Sequence, residues 1–315
     1  MVAPLLLSSL STALIAPSRL SRRPPSRARV VIADLSVFDE ATTKTSFANE
    51  FKWQHEWYPL AFSKGTDKTV PHRLELFGEP LVLWWDHASE AWATMSDSCP
   101  HRMAPLSEGR IDESGQIECP YHGWTFTSEG ACTKIPQAEE KVEPRLLARC
   151  SGVAYATVEK QGIVWVWGEP LDIGGGMSAT IPDESTIPTC DAMDDERFVW
   201  IDVSRDMPYS ADMLLENVLD SSHVPFTHHQ TISKRENAVP LKLSLTEPVS
   251  PTGFSGEQRT APPLPTAGGV SSAAPNQGAR TERTTVFRAP TYVSNLYLDT
   301  VPLESEPTGK AHYTH

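Results

Sequence analysis

Five cysteines in 315 residues are few and odd in number, which does not suit a disulfide framework and makes metal binding the better first use for them. No run of about 18 apolar residues occurs, so the sequence as given holds no candidate spanning helix. Basic charge is scarce: 27 Lys and Arg stand against 40 Asp and Glu, a net −13. Five arginines and no acid fall within the first 33 residues, so the remaining 282 stand at −18. So acidic a body argues against a nucleic-acid surface. No G-x-G-x-x-G fingerprint for a flavin or nicotinamide is present. Glycine is sparse, 18 against 27 prolines, and there are nine tryptophans, a balance that favours short strands and turns over a helical bundle. No internal repeat is found. What is present, 39% hydrophobic and 21% charged residues, is the composition of a globular protein.

Residues 1–33 read as a targeting peptide: residues 2–16 (VAPLLLSSLSTALIA) are apolar and hydroxylated, and Arg19, Arg22, Arg23, Arg27 and Arg29 follow among serines. A disordered tail is the alternative. From residue 51 to 168 short strand-like runs alternate with turns, among them 80–85 (PLVLWW), 91–95 and 162–167 (GIVWVW), as in a small antiparallel β domain. Residues 169–190 are rich in Gly, Pro, Ser and Asp and read as a linker. A second domain, 191–315, is expected to open with a strand at 197–204 and a helix near 210–222. Antiparallel strands follow near 241–245 and 284–298. Residues 255–280, low in large apolar groups, are expected to form a mobile insertion between them.

Two constellations carry chemistry. The first is Cys99-Pro-His101 and, 17 residues on, Cys119-Pro-Tyr-His122. Two thiolates on one iron and two neutral imidazoles on the other form the ligand set of a [2Fe-2S] cluster whose potential is raised above that of an all-thiolate cluster. Zinc is the competing occupant, since Cys2His2 is also a zinc set, but zinc fingers pair CxxC with HxxxH, whereas here Cys and His alternate. The second is residues 216–229 (ENVLDSSHVPFTHH), with Asn217, Asp220, His223 and His228 spaced N-x2-D-x2-H-x4-H. Two imidazoles and one carboxylate on one face of Fe(II) leave positions open for O2 and substrate. Asp220 lies three residues before His223, close enough for a carboxylate–imidazole hydrogen bond that fixes the ring's tautomer. Alone, such a His pair is as easily a satisfied core pair or a solvated one.

Residues 99–109 (CPHRMAPLSEG) and 119–124 (CPYHGW) resemble the Rieske domain of the ring-hydroxylating and plant-type Rieske oxygenases. Residues 51–62 (FKWQHEWYPLAF), 81–86 (LVLWWD) and 132–138 (CTKIPQA) resemble the chloroplast branch, pheophorbide a oxygenase and its relatives. The resemblance implies an α+β chain: an antiparallel β Rieske [2Fe-2S] domain, then a C-terminally truncated helix-grip catalytic domain. It also implies Cys99, His101, Cys119 and His122 on the cluster, His223 and His228 on a mononuclear Fe(II), and Asp220 linking that iron to a Rieske histidine, matching His122, of a neighbouring subunit in a homotrimer. Asn217 and Asp220 are the residues expected to serve catalysis, and His229 is structural or substrate-facing. By the same resemblance, ferredoxin supplies electrons, O2 is consumed, the substrate is a chlorophyll-derived pigment, first of all pheophorbide a, and the compartment is the chloroplast. A hydroxylase of a chlorophyll catabolite is the alternative enzyme.

The family's third iron ligand is a downstream aspartate, and the chain ends 87 residues after His228. Its carboxylates there, Glu247, Glu257, Glu282, Asp299, Glu304 and Glu306, read as surface charges, so truncation is expected to have removed the ligand. The membrane anchor and CxxC pair of the chloroplast relatives likewise have no counterpart. A catalytically incomplete, electron-transferring Rieske protein is therefore the reading from another class. Cys132, Cys150 and Cys190 read as buried inert thiols.

Overall fold

A computed structural model describes residues 51–138, 142–171, 182–196, 198–199, 201–260, 280–300 and 311–314. The expected targeting peptide, 1–33, lies outside them, as does the middle of the expected linker. The architecture is α+β and rich in antiparallel sheet. Strands β1 (Trp57–Phe62), β2 (His72–Leu76), β3 (Glu79–Asp86), β4 (Ala91–Ser96), β9 (Ala154–Lys160) and β10 (Ile163–Pro170) form a six-stranded sheet in the order β1-β10-β9-β4-β3-β2. A smaller sheet of β5 (Arg110–Ile111), β6 (Ile117–Glu118), β7 (Thr125–Phe126) and β8 (Cys132–Lys134) runs in sequence order. Helix α1 (Pro144–Arg149) follows it.

The run LVLWW forms β3 because the strand is covered on both faces, which an uninterrupted apolar stretch permits and strict alternation would not. Val82 and Trp84 pack with Met95, Ile117 and Phe126 beside Cys99 and Cys119, while Leu83 packs with Trp92 and Val164. Side chains of period two thus tie the two sheets together on one face and close the six-stranded sheet on the other. The Trp84 indole is fully buried and still donates to the Gly115 carbonyl at 3.1 Å, which removes the cost of an orphaned N–H.

The third sheet is a meander of β11 (Leu241–Ser250), β12 (Gly253–Thr260), β13 (Arg280–Arg288), β14 (Tyr292–Thr300) and β15 (Ala311–Thr314). Helices α2 (Ala211–Leu219) and α3 (Val224–Thr227) precede it. Two expectations are corrected. Residues 255–260, assigned to a mobile insertion, belong to β12, which pairs with both neighbours, for example through Ser244↔Glu257 and Glu257↔Thr284; backbone pairing overrides their poor apolar content. Among the described residues of 197–204 there is no strand. Val199, Ile201 and Val203 alternate as a strand would, but they are exposed, and no strand among the described residues pairs with them.

Candidate metal centres

The first centre is built from two loops of one design. After β4, the Cys99 N–H donates to the Ala104 carbonyl at 2.9 Å and the Met103 N–H returns to the Cys99 carbonyl at 2.7 Å. After β6, the Cys119 N–H donates to the Trp124 carbonyl at 2.8 Å and the Gly123 N–H to the Cys119 carbonyl at 3.0 Å. Both loops turn back through a left-handed residue at the fourth position after the cysteine, Met103 at φ 55° and Gly123 at φ 70°. Glycine takes that conformation freely, whereas methionine does so at a steric cost. The base of the first loop is clamped by the buried Asp97, which accepts from the Ser107 N–H and hydroxyl at 2.7 Å each. Gly109 then lets the first loop's exit press on the strand before the second: a Cβ there would lie 2.1 Å from the Glu118 carbonyl oxygen.

This construction buries both sulfurs, with Cys99 1% and Cys119 2% exposed, and carries the imidazoles outward. The His101 and His122 rings lie 4.8 Å apart, and His101 stacks on Trp124 at 4.6 Å with an angle of 2° between planes. The His122 carbonyl accepts from the Gln137 amide at 2.9 Å. Burial, and then the neighbouring Cys119 thiol, pushes the Cys99 thiol up to about 11, against backbone N–H groups of His101 and Arg102 that favour its thiolate. The His101 imidazole is held below its ordinary value, by lost solvation first and then by His122 and Arg102; a neutral ring is the ligating form.

The donors fit a two-iron cluster. Buried His122 Nδ1 has no hydrogen-bond partner, an arrangement that costs free energy unless something else takes the lone pair. Among the described residues no three of His, Cys, Asp and Glu converge on one ion. A cluster that shares two thiolates and two imidazoles between two irons needs no such convergence, whereas tetrahedral zinc would draw all four donors to one point.

The second centre forms where α2 ends. Asp220 caps the helix, its N–H donating to the Glu216 carbonyl at 3.1 Å. Its carboxylate faces His223 Nδ1 at 3.4 Å and accepts from the Ser222 N–H at 2.8 Å and from the Ser222 hydroxyl. Those bonds, the hydroxyl first, together with the nearby imidazole, hold the Asp220 carboxyl below the usual range against partial burial. His223 and His228 flank the short α3 as its two caps and bring their rings to 5.3 Å. Asp220, His223 and His228 are therefore together. Asn217 is exposed on α2, outside these contacts. His229 Nδ1 accepts from the Arg235 N–H at 3.1 Å, which gives that ring a structural task.

No carboxylate joins the pair as a third ligand among the described residues. Glu247 meets Arg288 at 3.0 Å, and Arg259 takes Glu257 at 3.0 Å and Glu282 at 3.7 Å. The Asp299 side chain, Glu304 and Glu306 lie outside the described residues. Sequence reasoning missed the parts played by Asp97, Ser107 and Gln137, each recognisable only once the loops are folded.

A sheet-bound loop pair carrying two thiols and two imidazoles, with a separate His pair backed by a carboxylate, defines the class of two-centre Rieske-type iron proteins. Residues 56–153 match the Rieske [2Fe-2S] domain, and residues 207–311 match the vanillate O-demethylase oxygenase C-terminal domain. The chain is 39% identical over 222 residues to pheophorbide a oxygenase of Arabidopsis thaliana, covering 70% of this chain and 40% of that protein. It is 36% identical over 212 residues to protein TIC 55 of the same species, covering 66% and 36%. The chain thus spans about two fifths of the length of these curated relatives. Dicamba monooxygenase bound to dicamba shares the fold, with a TM-score of 0.62 at 18% identity over 82% of this chain and 71% of that one. The chain thus carries a Rieske [2Fe-2S] domain followed by a Rieske-oxygenase type C-terminal domain, and it is similar to pheophorbide a oxygenase and its chloroplast relatives. Both curated relatives are chloroplastic, and the expected plastid location is borne out.

Proposed function

We propose that this chain oxygenates a chlorophyll-derived macrocycle of the pheophorbide a kind, with O2 as oxidant and ferredoxin as the source of electrons. The observation that carries the reading is the presence, in one chain 39% identical to pheophorbide a oxygenase, of both donor sets. Cys99 and Cys119 would hold one iron of a [2Fe-2S] cluster and His101 and His122 the other, while His223 and His228 would hold a mononuclear iron. Such a cluster would supply one-electron transfer, and such a ferrous site would supply O2 activation. Overall, substrate, O2, two electrons and two protons yield oxygenated substrate and water.

The chain's own residues set the conditions for that chemistry. Burial of the sulfurs keeps water from the thiolate side, and exposed His101, with exposed Tyr121 packed on the His122 ring at 4.0 Å, makes the imidazole side the edge across which electrons pass. Asp220, held ionised by Ser222, accepts a proton-mediated contact from His223 Nδ1 and fixes the ring's tautomer. A homotrimer that brings His122 of one subunit towards Asp220 of the next follows from the family resemblance and is part of the proposal.

Hydroxylation of a related catabolite is the second reading, favoured by the similar identity to protein TIC 55. The test is O2 uptake by the iron-loaded protein with reduced ferredoxin and pheophorbide a. Pigment-dependent uptake, with label from 18O2 entering a ring-opened product, is expected. A hydroxylated, unopened product would support the second reading, and no pigment-dependent uptake would contradict both.

A further inference from the structure

The strongest unassigned feature is a buried cation beneath the second centre. Arg283, on β13, is only 4% exposed. Its Nε and Nη2 donate to the Asn295 side-chain oxygen on β14 at 2.9 and 2.6 Å. The same Nη2 donates to the Val218 carbonyl at 2.7 Å, and Nη1 donates to the Ser221 hydroxyl. Asn295 Oδ1 also accepts from the Thr285 hydroxyl at 2.8 Å, so the acceptor is itself fixed across the β13–β14 pair.

The two residues gripped by the guanidinium, Val218 and Ser221, bracket Asp220. Val218 offers one of the carbonyls that the end of α2 leaves without a helical partner, and a cation there also suits the negative end of the helix dipole. A planar fork bridges Asn295 and the turn together, which the single ammonium of lysine cannot do in the same geometry. We propose that Arg283 is a positioning residue of the mononuclear iron centre: it locks the turn from Val218 to Ser221 to the sheet, so that Asp220 keeps the His223 ring aimed for metal binding. This rests on the reading of His223 and His228 as the iron-holding pair. The residue touches no reacting atom and acts through Asp220.

The test is Co2+ titration of the full chain, with its cluster in place and the mononuclear site stripped, comparing wild type with Arg283→Lys and the milder Ser221→Ala. Loss of a group that orients a ligand weakens metal binding about 10–100-fold. That loss, with shifted Co2+ ligand-field bands and an unchanged cluster spectrum, is expected for Arg283→Lys, and a smaller loss in the same direction for Ser221→Ala. Wild-type affinity in both variants overturns the proposal alone. If Arg283→Lys does not fold, unchanged affinity in Ser221→Ala overturns it. No Co2+ uptake by the wild type overturns the iron-holding pair and this proposal with it.

Discussion

His122 and His223 differ in what their loss removes. The His122 ring belongs to the loop joining β6 and β7, with its Nδ1 buried and unpartnered, so His122→Ala is expected to abolish the Rieske signal in visible circular dichroism and in the electron paramagnetic resonance of the reduced protein. His223 stands at the end of α2, paired to Asp220. His223→Ala is expected to leave that signal intact and cut turnover by more than the 10–100-fold typical of losing an orienting partner. A retained cluster in the first variant, or unchanged turnover in the second, would sink the respective assignment. At this scale the ligand candidates were legible because alternating Cys and His at fixed spacing have few other uses. Arg283 was not, because its partners Val218 and Ser221 lie 65 and 62 positions away and only the folded sheet brings them together. Cys132 was read as inert, and burial followed by the nearby Cys150 pushes its thiol up to about 11, which keeps it protonated near neutral pH; that Cys150 is near was invisible in the sequence.

Elements were legible where burial on both faces, or a helix start, left a mark in the residues. β3, β4 and β10 fall where continuous apolar runs place them, and α2 begins after Ser210 as its Pro-Tyr-Ser approach suggests. The strand expected at 197–204 failed because alternation describes a side-chain pattern, whereas a strand exists only with a partner backbone. β12 was missed for the converse reason: Gly256 and its polar neighbours carry no apolar signal, yet both flanking strands pair with them. The ligand loops belong to this scale as well, since each depends on one left-handed residue. Gly123→Ala is expected to lower stability by about 1 kcal/mol from the backbone alone, and somewhat more because a Cβ there would meet Pro136 Cγ at 3.2 Å. Thermal unfolding of the cluster-loaded protein checks this; an unchanged midpoint would show that the loop does not need its glycine.

For the whole molecule, the α+β class and the order of the two centres follow from the sequence because each centre is local: four donors within 24 residues and three within nine. What completes the second centre is not local. Glu247, Glu257 and Glu282 are committed to arginines, so among the described residues these carboxylates furnish no third ligand, and the count of metal per chain becomes the decisive quantity. The direct measurement is iron and acid-labile sulfide on protein purified and reconstituted without oxygen, beside the electron paramagnetic resonance spectrum of the reduced form. The two-centre account expects three irons and two sulfides per chain with a Rieske spectrum. Two irons and two sulfides would contradict the oxygenase reading and leave an electron carrier, and no sulfide would contradict the account at its root.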